Sequence, residues 1–329
     1  MFRWGILSTA RIAREQLIPA IQESDNGTVH AVASRDAAKA RALAERVGAP
    51  LSFGSYEALL ACPQIDGVYI PLPTSHHVEW AVRAADASKH VLVEKPLALK
   101  AADIGPAIAA RERNRVLVAE AFMVVHHPQW AKVRALIAAG AIGRLRQVQG
   151  AFSYYNDDPA DMRNIPELGG GALADIGVYP VVTTRFSTGR EPLHAEAHVE
   201  RDPVSGTDIH ATARVAFDGF ELSFYVSTRL ALRQSMAFHG DRGFIEVAAP
   251  FNAGLYGDHA VTLHDAAHAR ATVLRFPGAR QYRLQVESFV RAARGEASAR
   301  VFTLEESVLN QKVIDAIFRA GATGGREPV

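Results

Sequence analysis

The sequence predicts an α/β protein with a doubly wound parallel sheet, followed by an α+β unit built on a large, open, mainly antiparallel sheet. Two observations carry this. Up to about residue 122, short and almost wholly apolar β-branched runs alternate with helical patterns, as expected of strands covered on both faces. Beyond it, apolar residues recur at every second position, as in strands with one covered face. At about 150 residues per domain, 329 residues make two domains, expected at 1–122 and 123–329.

In order, strands are expected over Phe2–Leu7, Val29–Ser34, Val68–Leu72, His90–Glu94 and Val116–Ala119. Between the first two, Ala10, Ala13, Leu17 and Ile21 form one helical stripe, which Pro19 should kink or split. Further helices are expected over Asp36–Val47, His77–Ala87 and Ala101–Asn114, and strand-helix-strand spacing of this kind implies parallel crossovers. A helix over Pro128–Ala139 opens the second part. Ile209, Ala211, Ala213, Val215 and Phe217 alternate, then Leu222, Phe224 and Val226 after the Asp218-Gly219 turn. Ser235–Phe238 and Phe244–Ala248 flank a second hairpin turn. Helices over Tyr282–Arg294 and Leu304–Ala320 close the chain, with residues 323–329 expected as a frayed tail.

Lys plus Arg number 36 and Asp plus Glu 35, without a like-charge run, so no electrostatic footprint for nucleic acid or an anionic membrane is present. A small-molecule partner is expected. The single cysteine, Cys62, excludes an intramolecular disulfide and a multi-cysteine metal site. No apolar run reaches the ~18 residues of a membrane span, and Met1–Gly5 leads directly into a strand, so a cytoplasmic location is expected. His264 and His268 have the spacing of a zinc helix but lie between strand-like flanks, so no metal is expected.

A turn that binds a dinucleotide belongs between the first strand and the first helix, where small residues let a pyrophosphate reach the helix amides. The run there is Gly5-Ile6-Leu7-Ser8-Thr9-Ala10-Arg11-Ile12-Ala13, with Ser8, Ala10 and Ala13 at the three usual glycine positions. At the end of the second strand an acid would hold a ribose diol, whereas a cation would accept a 2′-phosphate. Ser34 and Arg35 stand there with Lys39 one turn on, which predicts NADP over NAD; Asp36 is the rival reading.

The run His90-Val91-Leu92-Val93-Glu94-Lys95-Pro96, with Gly169-Gly170-Gly171-Ala172-Leu173-Ala174-Asp175-Ile176-Gly177-Val178-Tyr179, resembles the Gfo/Idh/MocA oxidoreductase family. The likeness extends to Pro73–Glu79, Leu136–Gly143 and Tyr282–Arg294, and so covers almost the whole chain. It implies a Rossmann domain, an open sheet behind it and a substrate pocket between them. Tyr179 stands where many members carry histidine, as in the branch of dihydrodiol dehydrogenases, glucose–fructose oxidoreductases and NADP-dependent D-xylose or aldose 1-dehydrogenases. The resemblance further implies cofactor contacts from Ser8, Thr9, Ala10, Arg11, Ile12, Leu72, Pro73, Thr74, His77, Glu94, Lys95 and Arg163, and a cis peptide before Pro96. Substrate contacts are expected from Lys95, Met123, Asn156, Arg163, Asp175, Tyr179 and Phe251.

Oxidising an alcohol by hydride transfer needs a base at the hydroxyl oxygen. Free tyrosine, with a pKa of about 10, is a poor one, but a nearby ammonium favours its phenolate. Lys95, Tyr179 and Asp175 are therefore the expected catalytic group, with Asp175 and Tyr179 one helical turn apart. The leading expectation is oxidation of the anomeric carbon of a free aldose to its lactone. A dihydrodiol dehydrogenase, an aldose–aldose oxidoreductase with tightly held NADP and a non-catalytic NADP sensor are the alternatives. A homodimer through the open sheet is expected, on the argument that faces of the Ile209, Val215, Leu222 and Phe224 type need cover.

Overall fold

The computed structural model describes residues 1–329. The chain forms two compact units, Met1–His126 with Arg280–Val308 and His127–Ala279 with Leu309–Val329. The first expected domain therefore regains a segment from near the C-terminus, where a boundary at 122 had left it contiguous.

In the first unit, strands β1 (Phe2–Leu7), β2 (Gly27–Ala33), β3 (Leu51–Phe53), β4 (Gly67–Ile70), β5 (His90–Val93) and β6 (Val118–Glu120) form a parallel sheet. Its order is β3-β2-β1-β4-β5-β6, so the winding reverses between β1 and β4. A crevice beyond the strand C-termini at such a reversal is where ligands bind in open α/β sheets. Helices α1 (Ile18–Glu23), α2 (Ala37–Val47), α3 (Tyr56–Leu60), α4 (His77–Asp86) and α5 (Gly105–Asn114) connect the strands. Before α1 runs a single π turn, Ala13–Leu17. Pro19 explains it, since a residue without an N–H cannot close the regular ladder.

In the second unit, helix α6 (Pro128–Ala138) precedes β7 (Leu145–Tyr155), and a second π turn, Leu173–Gly177, runs into α7 (Val178–Thr188). Strands β8 (Pro192–Arg201), β9 (Asp208–Phe217), β10 (Phe220–Ser227), β11 (Arg229–Gly240), β12 (Gly243–Val247), β13 (Ala260–Asp265) and β14 (Ala271–Arg275) follow. Helix α8 (Gln281–Ala293) then joins the first unit, where Phe289 meets Trp4 at 5.1 Å between ring centroids and Val286 and Val290 are fully buried. Each such buried side chain contributes roughly 1.5–3 kcal/mol. Helix α9 (Leu304–Thr323) and the short β15 (Glu327–Pro328) end the chain. The expected frayed tail is instead ordered at its tip, with Glu327 opposite Ala195 and Pro328 opposite His194.

The nine-stranded sheet has the order β14-β13-β12-β11-β7-β10-β9-β8-β15 and is antiparallel except for β7 with β10. Val215, Leu222 and Phe224 are buried on its covered face. The other face carries Thr212, Arg214, Ser223 and Tyr225 along a groove of about 1060 Å³. The expected uncovered apolar face is thus corrected: the apolar register already has its cover, and the open register is polar. No helix is long and apolar enough to cross a membrane.

Candidate active site

In the first unit, the loops at the C-terminal ends of β1, β2, β4 and β5 hold the residues expected to bind a cofactor. Ser8 has φ +141°, a conformation side chains rarely adopt, and its Oγ accepts from Ala10 N–H at 3.1 Å. The serine thereby builds its own tight turn where glycine is usual. Thr9 and Ile12 are half-buried beside it, whereas Arg11 points to solvent and pairs with Glu15 at 2.9 Å.

Asp36 caps α2, accepting from Ala38 N–H at 3.0 Å and Lys39 N–H at 3.2 Å, and its own N–H donates to Ser34 Oγ. A carboxylate committed to a helix start is a poor acceptor for a ribose diol. Arg35 is exposed and lies within electrostatic reach of the Tyr56 phenol. Burial raises the Tyr56 pKa and Arg35 opposes that rise. Tyr56 lies in α3, a helix the sequence pattern did not reveal, and its ring stands edge-on to Trp80 at 5.0 Å. The Lys39 ammonium is 3.9 Å from Asp36. A tight turn at the start of the first helix, a cation at position 35 and an acid engaged in capping α2 suit a phosphorylated dinucleotide.

Leu72 and Thr74 are buried, with Pro73 partly exposed between them. His77 is 1% exposed, and both ring nitrogens meet carbonyl oxygens: Nδ1 that of Pro96 at 2.8 Å and Nε2 that of Leu72 at 2.7 Å. Burial lowers its pKa to about 4 although the two carbonyls pull upward. The neutral ring has one N–H, so it donates to one of these carbonyls while its other nitrogen packs against the second, and His77, expected to contact the cofactor, is buried between the β4 and β5 loops.

Lys95-Pro96 is a cis peptide bond. Glu94 accepts from Tyr69 Oη at 2.5 Å and, more weakly, from Lys95 N–H at 3.3 Å. Behind this loop Glu120, 3% exposed, accepts from Leu97 N–H at 2.8 Å. Burial pushes its pKa up to about 7. Met123 packs in a buried turn of the same unit.

In the second unit, Arg163, Asp175, Tyr179 and Phe251 come together. Asp175 Oδ2 accepts from Tyr154 Oη at 2.5 Å and from Arg163 Nε at 3.1 Å, and Arg163 also pairs with Asp161 at 3.3 Å. Asp175 holds the Arg163 pKa above its ordinary value, while burial and the same carboxylate raise that of Tyr154. Tyr179 packs in an aromatic trio: Phe152 and Phe251 are stacked at 5.0 Å, and their rings lie 5.6 and 5.4 Å from the phenol ring. The Phe251 loop is pinned by Trp130 Nε1 donating to the Pro250 carbonyl at 3.1 Å, and by Gln234 Oε1 accepting from Phe251 and Asn252 N–H.

Asn156 stands apart from this group in its bonding. Its Oδ1 accepts from Asp158 N–H at 3.1 Å and Asn164 Nδ2 at 3.2 Å, so the side chain shapes its own loop. Tyr154, which the sequence reading passed over, carries one of the shortest bonds of the group; its signal was the alternation of Phe152 and Tyr154 along β7.

Residues 2–122 match the model for an oxidoreductase family with an NAD-binding Rossmann fold, and residues 130–246 match the GFO/IDH/MocA C-terminal domain. The chain is 37% identical to an NADP(+) D-xylose 1-dehydrogenase of Haloferax volcanii over 98% of both chains. It is 30% identical to a trans-1,2-dihydrobenzene-1,2-diol dehydrogenase of Xenopus tropicalis over 74% of each. Among solved structures, a 3-ketoreductase from Actinomadura kijaniata in complex with NADP and TDP-benzene superposes with a TM-score of 0.90 at 28% identity, covering 97% of both chains.

Proposed function

This chain belongs to the Gfo/Idh/MocA oxidoreductase family, and from that premise we propose that it is an NADP-dependent dehydrogenase that oxidises the anomeric carbon of a free aldose of the D-xylose type to the lactone. The observation that carries the reading is Asp175, held by Tyr154 and Arg163, one helical turn before the Tyr179 phenol. An acceptor for sugar hydroxyls and an acid–base group then share one helix face. The similarity to the D-xylose enzyme extends over nearly the whole of both chains, which supports an aldose over a diol.

NADP, when bound, supplies the hydride acceptor. The turn over Ser8 to Ala10 would hold its pyrophosphate at the helix start, and Arg35 would meet its 2′-phosphate. Asp175 accepts from a sugar hydroxyl and orients the ring. Tyr179 takes the proton of the anomeric hydroxyl as the C–H electron pair leaves C1, and the C=O bond of the lactone forms. Lys95, at the end of β5 in the first unit, is the cation that the family resemblance assigns to this step.

Purified protein incubated with NADP and D-xylose, a trans-dihydrodiol or a keto sugar with NADPH tests this by absorbance of the reduced nicotinamide. Turnover of D-xylose with loss of at least 100-fold in Tyr179→Phe is expected. Turnover of the diol or keto sugar alone would overturn the aldose assignment, and an unimpaired Tyr179→Phe would overturn the acid–base role. We also propose a homodimer through the open face of the nine-stranded sheet, whose groove is lined by Thr212, Ser223 and Tyr225 with Arg214, Arg233, Glu196 and Glu246.

A further inference from the structure

A buried acid outside the groups named above stands behind the helix that carries Asp175 and Tyr179. Asp208 opens β9 and is 2% exposed. Its Oδ2 accepts from Leu173 N–H at 2.6 Å. This is among the first amides of the run that passes through the π turn into α7, and an amide at that position has no partner within the helix. Burial pushes the Asp208 carboxyl up to about 6 against the pull of that amide.

The glycine run is what admits the acid. Gly171 has φ +127°, and a Cβ there would lie 2.0 Å from Asp208 Oδ1. A Cβ on Gly170 would lie 2.5 Å from the carbonyl oxygen of Arg163, which already accepts from Gly171 N–H at 2.9 Å. The start of the helix is therefore gripped on one side by Asp208 and on the other by the backbone of the residue whose side chain holds Asp175.

We propose that Asp208 is a positioning residue of the reaction: by holding the Leu173 amide at the start of this helix it sets the direction in which Asp175 and Tyr179 present their side chains. The inference rests on the reading of those two residues as the groups that meet the substrate. Slippage of the helix start by one residue would turn both side chains by about 100°. A misplacement of that kind costs catalysis more than it costs folding.

The test compares Asp208→Ala and Asp208→Asn, read by kcat and KM for D-xylose and NADP and by the Tyr179 ring resonance in ¹³C-tyrosine-labelled protein, assigned with Tyr179→Phe. Asp208→Ala is expected to lower kcat on the order of 100-fold with KM for NADP unchanged, and to shift the resonance. Asp208→Asn keeps one neutral acceptor, so it should recover about tenfold of that loss and move the resonance part of the way back. Should Asp208→Ala not fold, Asp208→Asn decides alone: wild-type kcat and an unmoved resonance overturn the inference, as does lost activity with an unmoved resonance. If the wild-type protein oxidises no sugar, the proposed function fails, while the resonance still decides the role of Asp208.

Discussion

Tyr154 donates its phenolic proton to Asp175 Oδ2 at 2.5 Å, and two residues earlier on the same strand the ring of Phe152 lies 5.6 Å from that of Tyr179. Two residues of strand advance about 6.6 Å and one helical turn about 5.4 Å, so one face of β7 can read one face of the helix. The aromatic contact fixes the phenol ring and the hydrogen bond fixes the carboxylate.

Replacing Tyr154 by Phe keeps the ring and removes the donor. A hydrogen bond to a charged group is worth about 1.5–3 kcal/mol, so kcat/KM for the sugar is expected to fall by about ten- to a hundredfold. Titration with NADPH, followed by nicotinamide fluorescence, should give an unchanged Kd. An unaltered kcat/KM would remove Tyr154 from the account.

Arg35 and Asp36 are adjacent and should respond differently. Arg35→Ala is expected to weaken NADP at least tenfold while leaving NAD nearly unaffected, because only the phosphorylated cofactor uses the guanidinium. Asp36→Ala removes the cap on Ala38 and Lys39 and should cost about 1 kcal/mol of stability with no change in the NADP-to-NAD preference. Steady-state kinetics with both cofactors and a thermal melt separate the two.

Glu120 gives a pH signature. Its pKa is raised from 4.5 to about 7 by burial, so the unfolded chain releases this proton at lower pH than the folded one. This group's contribution therefore falls as pH rises from about 4.5 to about 7, by on the order of 3 kcal/mol. Glu120→Gln retains an acceptor for Leu97 N–H and lacks that slope. Urea unfolding should show the variant gaining on the wild type between pH 4.5 and 8; parallel pH curves would mean that Glu120 stays ionised.

If the open sheet face joins two copies, sedimentation of the wild type should report twice the chain mass. Ser223→Arg places a long cation in the middle of the groove-lining register. It should return the mass to that of one chain, and a dimer that survives the change would have to use another surface.

The parallel core was legible because β1, β4 and β5 are nearly pure apolar runs, which only a doubly covered sheet explains. β3 was not, since Leu51-Ser52-Phe53 is a three-residue edge strand with half-exposed side chains. β8 was hidden for a related reason: His194, Glu196, His198 and Glu200 fall at every second position along Pro192–Arg201, and only Pro192 and Ala195 are buried. The period of β9 and β10 was visible, but not which register already had a helix over it. Lys95, Asp175 and Tyr179 are singled out by motif spacing, and the structure places Asp175 and Tyr179 one turn apart on the same helical run. Tyr56, Tyr154 and Asp208 lie far from those motifs in the chain and act through contacts that only the fold creates.

Gly171 and Asp208 compete for the same volume, so neither position can drift alone. A side chain at 171 is tolerable only once the acid has been lost or shortened, and loss of the acid lifts the steric demand for glycine, leaving only its backbone one. An alignment of relatives should therefore show the two columns changing together, and an Asp at 208 opposite a bulky residue at 171 should be absent.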